Sequence, residues 1–336
     1  MPRLLAVCAV PFPGGAEIVA VRLLRSLARR GWSVTLAAPG AGPLLDTAVR
    51  EGWRAEELHV GGLRRGAGAR AVTSFPKARR LAAAHDVVLL NGGVPARLLP
   101  AVGGVARTAL FVHDLVRRVP SHWRGADVVL ANSRAVAERL APLEARAVGV
   151  PVEAAPRAVA PPWERDAAPV IGFVGRLEPR KAPLDLIRAA PAIRRARPDA
   201  RIVVVGGDPF GSRGYAEAVR QARGVEHFGW VDDAAGLMRH LDVLVVPSRE
   251  EPFGAVAAEA MVAGTPVVAT RVDGLREVVE DGVTGALVRP NRPSELAAAT
   301  VRVLARRDEL GAAARRRAGR FAAEAFADRV EPLLTP

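Results

Sequence analysis

VIGFVGRLEPRKAPLDLI, residues 170–187, decides the fold. It opens on a short run of apolar, partly β-branched residues with no polar face, as expected of a strand covered on both sides. The strand ends at Gly175, and Pro183 then stands where a helix favours proline, at its first position. Between them a loop carries Arg176 and Lys181. This is a strand followed by a helix, and the same unit recurs along the chain. Apolar runs of strand length lie at 4–10, 33–39, 86–90, 108–113 and 127–133, and again at 170–175, 201–207, 242–248 and 265–271. Longer Ala/Leu/Arg stretches of helical period separate them. Strands alternating with helices imply a parallel sheet, so the spacing predicts two doubly wound α/β sets.

Between the sets lies VPVEAAPRAVAPPWERDAAP (150–169), Pro-rich and without periodicity, the composition of an interdomain linker. The expected boundaries are a first Rossmann-like domain over 1–155, a linker over 156–168, a second Rossmann-like domain over 169–318, and a final helical segment over 319–336. Ligands of such sheets bind at the carboxyl ends of the strands. Two facing halves then leave a cleft between them.

The chain has 336 residues, half of them hydrophobic and a quarter charged, which suits a folded two-domain protein and not a disordered one. Its single cysteine, Cys8, sits in the apolar run LLAVCAV and reads as a buried core residue; it excludes an internal disulfide and fits a reducing compartment. No apolar run approaches the roughly 18–20 residues of a membrane span, and MPRLLAVCAV ends in PFPGG without a small-residue cleavage site, so it reads as a first strand. A cytoplasmic location is expected. The formal net charge of +13 permits nucleic acid, anionic lipid or phosphorylated small molecules as partners and alone selects none of them.

Several segments carry chemistry. Arg176 and Lys181 stand beside a helix start, where free N–H groups and the helix dipole favour an anion such as a diphosphate; an isolated pair reads more readily as solvated cations on a loop. SREEPFGAVAAEAM (248–261) places Glu250 and Glu251 before a helix beginning near Gly254, and Glu259 within an otherwise apolar stretch whose neighbouring residues offer it no partner, so a ligand is expected to supply one. Gly254 allows close backbone approach, and a carboxylate suits vicinal hydroxyls of a ribose or hexose, although Glu259 could also face water or an arginine. In PFPGGAEIVAV (11–21), Gly14 and Gly15 link a strand to a helix without a GxGxxG fingerprint. His113 and Asp114 close the run TALFVHD. GxxxxGK[ST], HExxH, CxxC and DxD are all absent, so no metal or bound cofactor is expected.

Together these residues resemble the retaining glycosyltransferases of family 4, the group 1 family, which adopt the GT-B fold. EPFGAVAAEAM fits that family's E-x7-E motif with Glu251 and Glu259, and the eight-residue spacing favours Glu251 over Glu250. VGRLEPRK fits its Arg…Lys phosphate motif. GGAE, FVHD and ANSRAVAERL fall at the matching places of the first half, and VEHFGWVDD (225–233) fits the segment bordering the base. The resemblance implies that Arg176 and Lys181 bind the diphosphate of a nucleotide-sugar with the backbone of Gly254, Ala255 and Val256. It implies that Glu259 holds the ribose, that Glu251 and the backbone at Phe253 hold the transferred sugar, and that Trp230 and Val231 border the base. Gly14 and Gly15 would lie on the acceptor and phosphate side. His113, with Glu251, would act at the reacting centre, and the final helix would return to the first domain.

The implied activity is metal-independent transfer of a sugar, with retention, from a UDP-sugar or secondarily a GDP-sugar to an acceptor hydroxyl on a small molecule, glycan or lipid. With no convincing carboxylate nucleophile, a front-face route is expected. The chain departs from the family at Lys181-Ala182, where Lys-Gly is common, and at VGVPVEAAP (148–156), where a PNGVD-like stretch is usual. A GT-B nucleotide-sugar 2-epimerase is the alternative. A nucleic-acid-binding role is remote, since aromatic residues are only 4% of the chain. Residues 58–85 hold Arg64, Arg65, Arg70, Lys77, Arg79 and Arg80 and no acid. They are read as a peripheral contact with anionic membrane on the cytoplasmic face or as a solvated arginine-rich face.

Overall fold

The computed structural model describes all residues except 63–68, 154–158, 165, 209–212, 232 and 336. The chain divides into two compact units, one formed by Met1–Pro151 with Ala323–Pro336 and the other by Val152–Ala322.

The first unit holds seven strands: β1 (Arg3–Val7), β2 (Ser33–Ala38), β3 (Arg54–Glu57), β4 (Val87–Asn91), β5 (Arg107–Val112), β6 (Val128–Ala131) and β7 (Ala145–Ala147). They lie in the order β3-β2-β1-β4-β5-β6-β7, and every pairing is parallel. The winding reverses between β1 and β4, with Leu5 opposite Thr35 on one side and Val88 on the other. Leu5, Leu90 and Leu110 from three neighbouring strands share one core with Leu98, Val102 and Trp123 from the connections. Apolar side chains on both faces of β1 and β4 are what helices packed on both sides of a sheet require.

The second unit repeats the plan with β8 (Val170–Val174), β9 (Arg201–Val205), β10 (Glu226–Phe228), β11 (Val243–Val246), β12 (Val267–Thr270) and β13 (Gly285–Val288). Their order is β10-β9-β8-β11-β12-β13, again all parallel, with the reversal between β8 and β11. Ile171, Val204, Val245 and Val268 form its core with Leu186 and Ile193 of the Pro183–Ala196 helix and Leu296 and Val303 of the Pro293–Ala305 helix. The nine apolar runs read from the sequence are all strands. β3, β7, β10 and β13 were not among them; all four are short edge strands, the first three largely polar, as in RAEE and ARA, and GALV of β13 only half-buried at its middle.

The closing helix, Ala323–Leu334, packs on the Gly15–Arg29 helix within the first unit. Arg30, just past the first helix, reaches Glu324 at 2.9 Å, Asp328 at 2.7 Å and Glu331 at 2.9 Å. Trp32 donates its indole N–H to Glu331 at 2.7 Å, and Phe326 stacks on Phe111 with ring centres 6.1 Å apart. Arg29 and Arg30 hold the Glu324 carboxyl down to about 2. The crossing into this helix falls at 322/323, later than the expected 319. Phe321 packs edge-on against Phe253, and its carbonyl accepts from Val152 N–H, so 319–322 stay with the second unit. The other crossing falls at 151/152; of the expected linker 156–168, residues 156–158 and 165 lie outside the described residues.

No described helix is long and apolar enough to cross a membrane. Of the basic segment 58–85, Arg64 and Arg65 lie outside the described residues, as does the side chain of Arg70. Lys77 pairs with Glu56 at 3.4 Å, and Arg79 and Arg80 are exposed on the Phe75–Ala83 helix.

Candidate active site

In the second unit, the loops leaving β8 and β11 meet over the reversal of strand order, the place where open α/β sheets bind ligands. The β8 loop begins at Gly175, whose φ of 153° brings its backbone against that of Gly206; a side-chain carbon on Gly206 would stand 1.8 Å from the Gly175 carbonyl oxygen. The loop is stitched to the β11 loop by bonds to main-chain carbonyls. The Arg249 backbone N–H donates to the Arg180 carbonyl at 2.7 Å, the Arg180 guanidinium to the Glu250 carbonyl at 3.2 Å, and the Arg249 guanidinium to the Pro179 carbonyl at 2.8 Å. Lys181 completes the bridge with a 2.5 Å ion pair to Glu251, whose same oxygen accepts from the Ser248 hydroxyl at 3.1 Å.

The two candidate glutamates of the loop are thereby separated. Glu251 is buried, while Glu250 is exposed and offers only its carbonyl. The Glu251 main chain is held too, its N–H by Asp273 at 3.1 Å and its carbonyl by Gly274 N–H at 3.0 Å. Gly274 cannot be larger, because a side-chain carbon there would lie 2.4 Å from the Pro252 carbonyl oxygen.

The Ala255–Ala263 helix starts from Gly254 in the left-handed region, φ 101°. Ala257 and Ala258 N–H both turn back to the Gly254 carbonyl, which leaves the N–H groups of Ala255 and Val256 at the helix end. No acid stands in this first turn. The Pro183–Ala196 helix offers few free N–H groups at its start. Pro183 has no N–H, the Lys181 and Ala182 N–H groups are spent on the Glu178 carbonyl, and buried Asp185 in the first turn already answers the helix dipole.

Arg176 lies 3.2 Å from Glu178, which also takes Arg180 at 3.1 Å. Phe253 is buried against Phe321, so only its main chain can serve a ligand. Glu259 is half-buried and has an interaction inside the protein, so the missing partner inferred from its neighbours in sequence does not hold. Trp230 is 60% exposed and leans on Gly207 at the end of β9, with half-buried Val231 beside it. Ala182 adopts φ 52°, the left-handed conformation glycine supplies most readily, at the position where the resemblance expects Gly.

In the first unit the residues leaving β1, β4 and β5 converge at the corresponding reversal. Gly14 caps the first helix with φ −82°, open to any residue; what fills its side is the Glu17 carboxylate, 2.7 Å from where a side-chain carbon would sit. Gly15 has open space around it. Burial pushes the Glu17 carboxyl up, against hydrogen bonds from its own N–H and that of Ala9, and the Asp114 charge pushes the same way. His113 follows β5 and is half-buried, and desolvation brings its imidazole down to about 3. Its Nε2 lies 2.8 Å from Asn91 Oδ1, and its carbonyl accepts from Asn132 at 2.8 Å.

Glu17, Asn91, Asn132, Ser248 and Asp273 were not singled out from the sequence. Asn91 and Asn132 end the apolar runs of β4 and β6, and buried polar residues at parallel strand ends were the available signal. Among the described residues no group of three or more His, Cys, Asp and Glu side chains could hold a metal ion.

Two family models match, one on each half: Glycosyltransferase Family 4 over residues 13–150 and Glycosyl transferases group 1 over residues 168–306. A D-inositol 3-phosphate glycosyltransferase of Geodermatophilus obscurus is 44% identical over 183 residues, which span 48% of this chain and 39% of that protein. A second, from Segniliparus rotundus, is 39% identical over 47% of this chain and 38% of the relative. Among solved structures, HepE from Anabaena in complex with UDP and glucose superposes over 99% of both chains with a TM-score of 0.82 at 21% identity. A glycosyltransferase from Rickettsia africae covers 99% of this chain and 97% of its own, with a TM-score of 0.83 at 18% identity. At such identities the likeness shows the fold, which is GT-B as the resemblance implied.

Proposed function

The chain belongs to the group 1 glycosyltransferases of family 4, and on that premise we propose that it transfers a sugar from a nucleotide-diphosphate sugar to an acceptor hydroxyl, with retention and without metal. A single observation carries the reading. Lys181, Glu251 and the free end of the Ala255–Ala263 helix come together over the strand-order reversal of the second unit. Lys181 has three donors, so it can keep Glu251 and still take a phosphate oxygen. The N–H groups of Ala255 and Val256 and the positive helix end serve the same diphosphate, with Arg176 as the second cation. Glu251 orients hydroxyls of the transferred sugar, Glu259 those of the ribose, and Trp230 with Val231 flanks the base. Gly14, Gly15 and His113 act from the first unit.

Departure of the nucleotide builds negative charge on the leaving phosphate, and fixed donors stabilise charge where it develops. In the front-face route the acceptor oxygen bonds to the anomeric carbon on the side from which the phosphate oxygen leaves. The acceptor proton passes to that phosphate oxygen, so the configuration is retained and no protein nucleophile is needed. UDP-sugars are the first donors to try, since HepE was solved with UDP and glucose. The name of the curated relatives makes D-inositol 3-phosphate the first acceptor.

The test is thermal stabilisation by UDP-, GDP-, ADP- and TDP-sugars, with and without EDTA, repeated in Glu259→Ala. A ligand at a hundred times its Kd stabilises by about 2.7 kcal/mol. One nucleotide class should raise the midpoint, and the variant should lose the effect. No shift with any of the four overturns the reading.

A further inference from the structure

Three neighbouring strand ends in the first unit fix one imidazole. Asn91, buried at the end of β4, donates from Nδ2 to the Ala16 carbonyl at 3.0 Å and faces Cys8 Sγ at 3.8 Å. Turning this amide over would set its oxygen against the Ala16 carbonyl, acceptor against acceptor. Its Oδ1 is therefore the atom 2.8 Å from His113 Nε2, and a carbonyl oxygen there requires that Nε2 carry the proton. From the other side Asn132, buried at the end of β6, donates to the His113 carbonyl at 2.8 Å, and Phe111 covers the ring at 4.1 Å between centres. No described residue hydrogen-bonds to Nδ1. Asn132 Oδ1 is buried and without a partner among the described residues.

We propose that Asn91 is a positioning residue that locks His113 as its Nε2–H tautomer, so that Nδ1 faces substrate as a pure acceptor for a sugar hydroxyl. The inference rests on His113 serving the transfer reaction. The ring can then neither donate from Nδ1 nor act as an acid. Asp114 is its neighbour in sequence and acts on Glu17, which in turn acts on Cys8 beyond Asn91; burial keeps the imidazole itself neutral.

The test reads the tautomer directly. In the ¹⁵N-histidine-labelled protein, His113 is picked out of the six histidines with His113→Gln. The proton should reside on Nε2 throughout pH 5–8. Asn91→Leu removes the acceptor and should release a tautomer mixture. Asn91→Asp places a carboxylate on Nε2 and should give a doubly protonated ring near neutrality. Its kcat should fall about tenfold at pH 6.5 and recover as pH rises, with little change in donor KM. A proton on Nδ1 in the unsubstituted protein, or a tautomer indifferent to both substitutions, overturns the proposal. If neither variant folds, the spectrum of the unsubstituted protein decides. Absence of transfer with every donor would instead refute the functional reading, and the spectrum would still stand.

Discussion

Replacing Lys181 with Met keeps the length and apolar stem of the side chain but takes away the cation that, among the described residues, pairs with Glu251. In the pair the Lys181 side chain is 17% exposed and that of Glu251 7%, so the carboxylate would stay buried with Ser248 as its remaining partner. Removing one member of a buried pair costs about 3–5 kcal/mol, and the partial exposure here brings the expected loss to about 2–4 kcal/mol. Glu251→Gln should cost less, because Lys181 can turn to water. The double variant should fall short of the sum of the two by about 1–3 kcal/mol. A two-unit chain has no single unfolding transition, so the assay is native-state hydrogen exchange at the amides of β8 and β11, which flank the pair. A Lys181→Met protein within about 0.5 kcal/mol of the unsubstituted one, or strictly additive effects, would refute the claim that this pair organises the loops over the strand-order reversal.

Ala182→Gly should be nearly neutral, within about 0.5 kcal/mol by the same exchange measurement. Relief of the left-handed conformation, about 1–2 kcal/mol, is offset by the buried methyl, about 0.8 kcal/mol, and by the extra freedom of an unfolded glycine, about 0.4–1 kcal/mol. Ala182→Val, β-branched at the same φ, should lose about 1–3 kcal/mol. Gly254→Ala should lower both stability and nucleotide-sugar binding in titration calorimetry, since φ is 101° and the new carbon would meet Leu275 at 2.7 Å. The Glu324 carboxyl is held to about 2, below its ordinary 4.5, so its contribution to docking the closing helix is complete above 4.5 and is lost as pH falls toward 2. Exchange protection of Ala323–Leu334 should therefore match at pH 7 and 5 and decline below about 4.

How much of this was legible depends on what each residue had to satisfy. The inner strands announce themselves because burial on both faces forces unbroken apolar runs such as VVLL of β4 and VLVV of β11. β3 and β7 are covered less and are built largely from polar residues, so nothing in RAEE or ARA separates them from a loop. In the second unit the loops were readable because Lys181 and Glu251 are charged residues beside apolar stretches. Their mutual pairing was not readable, being a contact across 70 positions. In the first unit His113 was visible as a polar residue closing a strand, but Asn91 and Asn132 look like ordinary turn residues until the sheet order sets them on either side of it. The reading of Glu259 as lacking a partner failed because only its neighbours in sequence could be inspected.

The return of the last helix to the first unit bears on how the protein is made. Chains emerge from the ribosome N-terminus first, and domains generally fold as units during synthesis. Here all strands of the first sheet are available after residue 147, yet the helix carrying Phe326, whose ring stacks on Phe111, is translated only after the entire second unit. The second unit can complete its fold on the ribosome while the first still waits for its closing helix. Through that interval Arg30 lacks its three carboxylates and the Phe111 ring its cover. A nascent chain stalled before residue 323 would thus present a sticky, positively charged surface, one that chaperones would have to shield until that helix is made.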